Sequence, residues 1–370
     1  MDKLIDSEKE KTISQTSDEL TPLLIRSVLV TIAILFVFIG VTAIGILALA
    51  GNYANKFSQA SGLSISDSYQ LVKLSLSGNP AQEQGRQNIL VLGTDSLSMR
   101  GDIPSLTDTM ILVSIDFKTG KVFTLPLPRD IYSTEYQTRI NALYAYGLDR
   151  YPEQPENFPQ EVVSEMTGLP IHYTVVVSLD KFGEIIDLLG GVEIDIKQGF
   201  VDTQFPKSDV DIHTETDPDK LYETVEFKTG KEIMMGHRAL KYIRSRYSES
   251  EEGTDLSRSS RQQQVISSII VKLMSKELLL NPQKMGRLTS LYQTSFASYL
   301  PIEDLGTTLK ALLPNRNKII LVPTSLSVYP DDPNGVLENP PRWRYDGQWV
   351  YEVRDTETFQ NEIIRKLEIN

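Results

Sequence analysis

The sequence has no cysteine, three histidines and two tryptophans in 370 residues. Without cysteine there is no disulfide, no thiolate nucleophile and no cysteine-bound metal. His172, His213 and His237 never fall in an HxxxH or HxH spacing, which argues against a zinc site. No GxSxG elbow is present to carry a Ser-His-Asp triad. Excess positive charge is missing too: the net charge is −12, so the surface as a whole repels nucleic acid. No helix-turn-helix or basic DNA-reading face stands against that field. An arginine cluster inside so acidic a chain therefore needs a local reason.

What is present is ordinary for a globular protein, with 40% apolar and 23% charged residues. The exception is the run from Ser27 to Ala50, which carries no charge. At about 1.5 Å per residue, a helix of that length crosses the ~30 Å hydrocarbon core of a bilayer. Lys9, Lys11 and Arg26 precede it and Lys56 follows it, so the positive-inside rule places the N-terminus in the cytoplasm and the bulk outside. Ala48-Leu49-Ala50 also fits a signal-peptide cleavage pattern. The apolar stretch is far longer than the roughly 7–15 residues of a signal-peptide core, which favours an uncleaved anchor. The division expected is a cytoplasmic tail over 1–26, an anchor over 27–50, an extracytoplasmic tether over 51–86 and one catalytic domain over 87–370. Within the tether, Ser66 to Leu76 is a short amphipathic stretch.

From Asn88 onward the pattern is α/β. Ile89 to Leu92, Met110 to Ile115 and Val122 to Leu127 read as strands, the last two joined by a hairpin loop over 117–121. Phe158 to Thr167 reads as a helix stopped by Gly168. Ile171 to Ser178, Lys181 to Leu189 and Val192 to Ile196 then read as strand, helix and strand, a βαβ-type unit. Tyr242 to Tyr247 reads as a further strand. A long helix opens at Asp255, with Ile266, Ile269, Ile270 and Leu273 as a core-facing stripe. A strand at Ile319 to Val322, a hairpin at Asp346-Gly347 and a terminal helix complete a mixed sheet.

Two constellations carry chemistry. If the 117–121 loop is centred between Lys118 and Thr119, position 108 pairs with position 129. Asp108 and Arg129 then sit together at an open end of the sheet, with Asp95 leaving the first strand nearby and Asp130 following Arg129. Two converging carboxylates suit a hard cation such as Mg²⁺; the alternative is that Asp95 and Asp108 merely cap a turn and a strand. In the second constellation the strand period sets Tyr242, Arg244 and Arg246 on one face. Downstream, Asp255 N-caps the long helix, and Arg258 and Arg261 lie one turn apart near its positive end. Cations stacked there call for a phosphate or pyrophosphate, gripped bidentately by arginine. The alternative is a solvated face paired with Glu249, Glu251 and Glu252.

In order, Gly93-Thr94-Asp95, Leu106-Thr107-Asp108-Thr109, Pro128-Arg129-Asp130, Arg139-Ile140-Asn141 and Leu188-Leu189-Gly190-Gly191-Val192 resemble the LytR–CpsA–Psr family. So does the block from Ala239 to Arg246, followed by Asp255-Leu256-Ser257-Arg258 and Arg261-Gln262-Gln263. The resemblance implies a mixed-sheet α/β/α sandwich behind one N-terminal transmembrane helix, holding a polyprenyl chain in an apolar tunnel. It implies a Mg²⁺-dependent phosphotransferase, outside the cytoplasmic membrane, moving a glycopolymer from a polyprenyl-pyrophosphate carrier to a peptidoglycan hydroxyl. By position, Asp95 and Asp108 would hold the metal. Arg129, Arg244, Arg246, Arg258 and Arg261 would surround the pyrophosphate, supported by Asp255, Tyr242 and Gln262. Asp130 or a metal-freed carboxylate would take the acceptor's proton. Val175, Val177, Phe182, Ile185 and Leu189 are tunnel candidates and equally candidates for ordinary core. The sequence departs from the family at Leu106, where many members carry arginine; Arg100 is positioned to compensate. The same site acting with water would be a lipid-pyrophosphate hydrolase, and without turnover a polyprenyl-phosphate-binding envelope protein.

Overall fold

The computed structural model describes residues 48–94, 106–207, 217–246, 255–273, 275–315 and 319–369. The chain divides into Met1–Phe57, of which residues 48–57 are described and helical, and Ser58–Asn370. The Ser27–Ala50 run lies almost wholly outside the described residues; among those described, no helix is long and apolar enough to cross a membrane.

Helix α1 covers residues 48–61 and α2 covers Ile65–Ser77. Strands β1 (Arg86–Thr94), β2 (Thr107–Asp116) and β3 (Lys121–Pro126) follow. A small hairpin, β4 (Tyr132–Ser133) and β5 (Thr138–Arg139), leads into α3 (Leu143–Arg150) and α4 (Asn157–Thr167). Next come β6 (Tyr173–Ser178), α5 (Leu179–Leu189), β7 (Val192–Ile196) and β8 (Phe200–Pro206). The chain continues with α6 (Pro218–Leu221), β9 (Tyr222–Phe227), β10 (Gly230–Met234), α7 (Gly236–Arg244) and α8 (Asp255–Leu273). It ends with α9 (Lys276–Leu279), α10 (Pro282–Ser295), α11 (Ile302–Leu312), β11 (Ile320–Pro323), the short strands β12 (Val328–Tyr329), β13 (Leu337–Glu338) and β14 (Glu352–Val353), and α12 (Thr356–Lys366).

The central sheet runs β11-β3-β2-β1-β6 and is mixed: β2 is antiparallel to its neighbours, while β1, β3, β6 and β11 all point the same way. Their four carboxyl ends therefore open on one side, the usual place for ligands in α/β sheets. Strand alternation sorts the two faces. Leu90, Leu92, Met110, Leu112, Phe123 and Leu125 point to one core, where they meet Phe158, Val162 and Val163 of α4 and Phe359 and Ile363 of α12. Each such buried side chain contributes about 1.5–3 kcal/mol. Ile89, Val113, Ile115, Val122 and Leu321 point the other way and meet Leu312 of α11.

Three local readings are corrected. The stretch read as a strand from Tyr242 is the end of helix α7. Ala239, Leu240 and Lys241 are strong helix formers, and the buried Ala239, Tyr242 and Ile243 recur at i, i+3 and i+4. Asp187 Oδ1 of α5 accepts the Gly236 N–H at 2.8 Å, which closes the N-terminus of α7. Gly236 is required there: a Cβ would lie 2.3 Å from the Gly183 carbonyl oxygen of α5. The βαβ-type unit is not a crossover within one sheet, because β7 pairs with β10 in a separate two-stranded sheet. The stripe on α8 is rotated: Arg261, Val265 and Ile269 are buried, whereas Leu273 is 39% exposed. The Asp346-Gly347 turn, with φ of 50° and 83°, lies in the long connection between the antiparallel β13 and β14.

Candidate active site

The β2–β3 register sets the first half of the site. Ile111 pairs with Pro126 and Leu112 with Leu125, so extending the ladder brings position 108 opposite position 129. Arg129 Nη1 donates to Asp108 Oδ1 at 2.7 Å. Arg129 Nε lies 3.4 Å from Asp130 Oδ2, and Arg139 Nη1 donates to Asp130 Oδ1 at 2.9 Å. The four side chains form an alternating ladder at the sheet's carboxyl end, only partly exposed. Such spacing strengthens each ion pair over a solvated one, because nearby protein displaces water from between the charges.

The backbone under the ladder is pinned from three sides. The Arg129 carbonyl accepts from Asn141 N at 3.2 Å, the Asp130 carbonyl accepts from Tyr351 N at 2.8 Å, and Ile140 N donates to Ile131 O at 2.8 Å. Thr107 Oγ1 donates to the Asn141 carbonyl at 3.1 Å. Asn141 is thus tied both to Asp108's neighbour and to Arg129. Its side-chain oxygen is buried with no hydrogen-bond partner among the described residues. An orphaned buried acceptor costs about 1–3 kcal/mol, and at a site it marks a place for a ligand or ion.

The second half is the α7–α8 corner. Arg261 is 3% exposed; its Nε donates to the Tyr242 carbonyl at 3.0 Å and its Nη2 to the Ser245 carbonyl at 2.6 Å. These are carbonyls that the end of α7 leaves open, so the guanidinium closes that helix. It also lies 4.7 Å over the Phe200 ring. Arg258 is buried on the same side of α8. Arg244, at the end of α7, is half-buried with its guanidinium 5.5 Å from the Phe205 ring centre, and Arg246 is exposed. Tyr242 packs on Phe200 and Phe227 and donates from Oη to Gln264 Oε1 at 3.0 Å. Gln262 Nε2 donates to Thr109 Oγ1 at 3.3 Å, joining α8 to the strand that carries Asp108.

The expected residues are thus distributed unevenly. Asp108, Arg129 and Asp130 come together, and Gln262 reaches them through Thr109. Tyr242, Arg244 and Arg246 do not share a strand face, because α7 is helical. Asp95 and Arg100 lie outside the described residues, as does the side chain of Asp255, the first residue of α8. Arg139, Asn141 and Asp202 were not assigned roles from the sequence. Asp202 is 1% exposed and accepts from Arg246 N at 2.9 Å. Its signal was an acidic residue at an inward position of the alternating strand β8. Arg139 and Asn141 carry no such periodic signal.

The family model described as the LytR_cpsA_psr family matches residues 52–360. A Bacillus subtilis polyisoprenyl-teichoic acid–peptidoglycan teichoic acid transferase, TagV, is 30% identical over 195 residues, which are 51% of this chain and 44% of that one. The match thus spans less than half of TagV. An Oceanobacillus iheyensis transferase of the same description, TagU, is 28% identical over 279 residues, 75% of this chain and 74% of that one. A solved Streptococcus agalactiae structure shares the fold, with a TM-score of 0.53 at 20% identity over 77% of this chain and 89% of that one.

Proposed function

Because the chain belongs to the LytR_cpsA_psr family, we propose that it is a membrane-anchored transferase moving a glycopolymer from a polyprenyl-pyrophosphate carrier to a peptidoglycan hydroxyl. Relatives described as teichoic acid–peptidoglycan transferases support the cell-wall acceptor. The observation that carries the reading is a junction at one end of the sheet. The ladder of Asp108, Arg129, Asp130 and Arg139 adjoins Thr109, where a strip of aliphatic side chains begins. Val91, Val113, Val175 and Val177 share that sheet face and are only half-buried. A charged head and a long apolar tail are what such a junction accommodates.

In the transfer, the acceptor hydroxyl oxygen bonds to the sugar-linked phosphorus as the bond from that phosphorus to the bridging oxygen breaks. Polyprenyl phosphate departs with the electron pair, and the hydroxyl proton passes to a carboxylate. Asp130 has both oxygens facing arginines, so it braces Arg129, and the proton goes to whichever of Asp95 and Asp108 the metal frees. Arg129, Arg244 and Arg246 meet the phosphates, whereas Arg258 and Arg261 hold the corner that carries Arg244 and Arg246. Guanidinium donors fixed in advance stabilise the charge that grows on the pyrophosphate. Asp108 and the orphaned Asn141 oxygen are hard donors of the kind Mg²⁺ takes, with Asp95 as the expected second carboxylate. Bound there, the ion would supply Lewis-acid neutralisation of the charge on the departing polyprenyl phosphate. Ser27–Ala50 serves as a single uncleaved span, with residues 51–86 as tether and 87–370 as the catalytic domain outside the cytoplasmic membrane.

The test is titration of the full chain in detergent with geranylgeranyl pyrophosphate, with and without Mg²⁺, beside Asp95→Ala. Tight binding that needs both metal and Asp95 is expected; binding indifferent to both removes the reading. With polymer-loaded lipid and peptidoglycan, a covalent conjugate is expected, and free polymer alone identifies a hydrolase.

A further inference from the structure

Helix α2 is built in an unusual way. None of its residues is buried, yet it packs along α11. The side it turns inward is made of Ser68, Leu71 and Ser75, all half-buried, and a Cβ on Gly306 of α11 would fall 2.0 Å from Ser75 Oγ. Lys310 of α11 donates to the Leu76 carbonyl at 3.1 Å. A quarter-turn away, Ile65, Tyr69, Val72 and Leu76 recur at i, i+4, i+7 and i+11 and are 56%, 69%, 57% and 61% exposed. Ser66, Gln70, Lys73 and Ser77 lie beyond them on the polar side. Leu309 of α11 and Leu313, just past its end, are 55% and 53% exposed. Four of the five large apolar side chains that α2 leaves in water thus line one face, with Leu74 the fifth and off the stripe, and such a row marks an interaction surface.

We infer that the exposed stripe of α2 seats on the phospholipid bilayer surface, holding α11 and the apolar face of the sheet next to the source of the lipid substrate. The occupant follows from the chain itself. The uncharged run ends at Ala50, and the residues from there to Ile65 reach at most roughly 50 Å even if fully extended, less with α1 helical. The inference therefore rests on the anchored reading above, which keeps α2 near the membrane. An apolar stripe beside a serine, glutamine and lysine side is the design of a helix lying in the interface, and a tyrosine within the stripe suits the headgroup level. The consequence for the site is direct. Thr308 Oγ1 of α11 donates to Gln87 Oε1 of β1 at 3.0 Å, and Asp304 of α11 hydrogen-bonds Tyr173 at the start of β6. A seated α2 thus orients the half-buried valines between those strands toward the lipid.

The absence of cysteine permits a clean single-cysteine scan of the full chain. Ile65→Cys, Tyr69→Cys, Val72→Cys and Leu76→Cys, with Ser66→Cys, Gln70→Cys and Ser77→Cys for the polar side, are labelled with an environment-sensitive fluorophore. Each is placed in nanodiscs of phosphatidylglycerol and phosphatidylethanolamine, with and without spin-labelled quencher lipid. Ile39→Cys reports the anchor independently. The expected result is loss of emission at the four stripe positions and none at the three polar ones. Quenching at Ile39→Cys with none on the stripe overturns the inference and leaves the anchor standing. No quenching at Ile39→Cys or on the stripe overturns both. A stripe signal insensitive to quencher lipid but dependent on protein concentration overturns it in favour of a second copy.

Discussion

Two groups of arginines mark this fold, and what holds them differs. Arg129 and Arg139 are held by carboxylates at the partly open end of the sheet. Arg261 is held by backbone carbonyls and aromatic rings inside the α7–α8 corner, with Arg258 buried beside it. A guanidinium paired with an accessible carboxylate can exchange that partner for a phosphate, at the cost of one ion pair for another. A guanidinium that closes a helix end cannot turn to a ligand without releasing the helix. The same residue type is thus able to exchange its partner in one region and is a fastening in the other.

The largest effect that would sharpen this contrast is at the open end. Arg129→Ala is expected to lower the transfer rate by about 10²–10³-fold, the usual consequence of losing one preorganised charge donor. The melting temperature should move less than for a buried guanidinium such as Arg261, since the side chain keeps part of its solvation. Single-turnover kinetics and a thermal melt on the same preparation provide the check. A variant that unfolds instead would make Arg129 a fastening too and erase the distinction.

The next effect belongs to the corner. Arg261→Ala leaves two carbonyls of α7 without their donor and a gap over Phe200, which should cost about 2–4 kcal/mol of stability. Denaturant midpoints of the full chain in detergent read this directly. Arg261→Lys should recover only part of it, because an ammonium cannot span both carbonyls as the planar fork does. If Arg261→Ala keeps its midpoint but loses lipid pyrophosphate, the corner is a ligand site after all.

Why one region was legible in the sequence and the other was not follows from what sets each geometry. The 117–121 loop fixes a hairpin register, and register alone carries Asp108 to Arg129 with no further information. The strands and the helices closed by Gly168 and Gly190 were legible for a related reason. Left-handed glycines at φ 69° and 82° terminate them locally. Around Tyr242 no such local punctuation exists. Tyr-Ile-Arg satisfies a strand period over so few residues that the helix formers upstream decide the outcome, together with the Gly183–Gly236 contact made from another helix. Asn141 and Arg139 gain their roles only from Thr107, Arg129 and Asp130, which pairing brings from elsewhere in the chain.

The smallest effect tests the register of α8, on which the buried placement of Arg261 depends. A stripe read from Ile266, Ile269, Ile270 and Leu273 centres the core side of α8 away from Arg261. The structure instead buries Arg261, Val265 and Ile269 at successive i+4 steps. Ile269→Ala removes packed atoms from the cluster formed with Val192, Ile194 and Tyr242, and should cost about 2–3 kcal/mol. Leu273→Ala acts on a side chain 39% exposed and should cost about 1 kcal/mol or less. Denaturant midpoints for the two variants suffice. Equal losses, or a larger loss at Leu273, would rotate α8 about its axis and swing Arg258 and Arg261 out of the corner toward the solvent side, where a pyrophosphate could meet them.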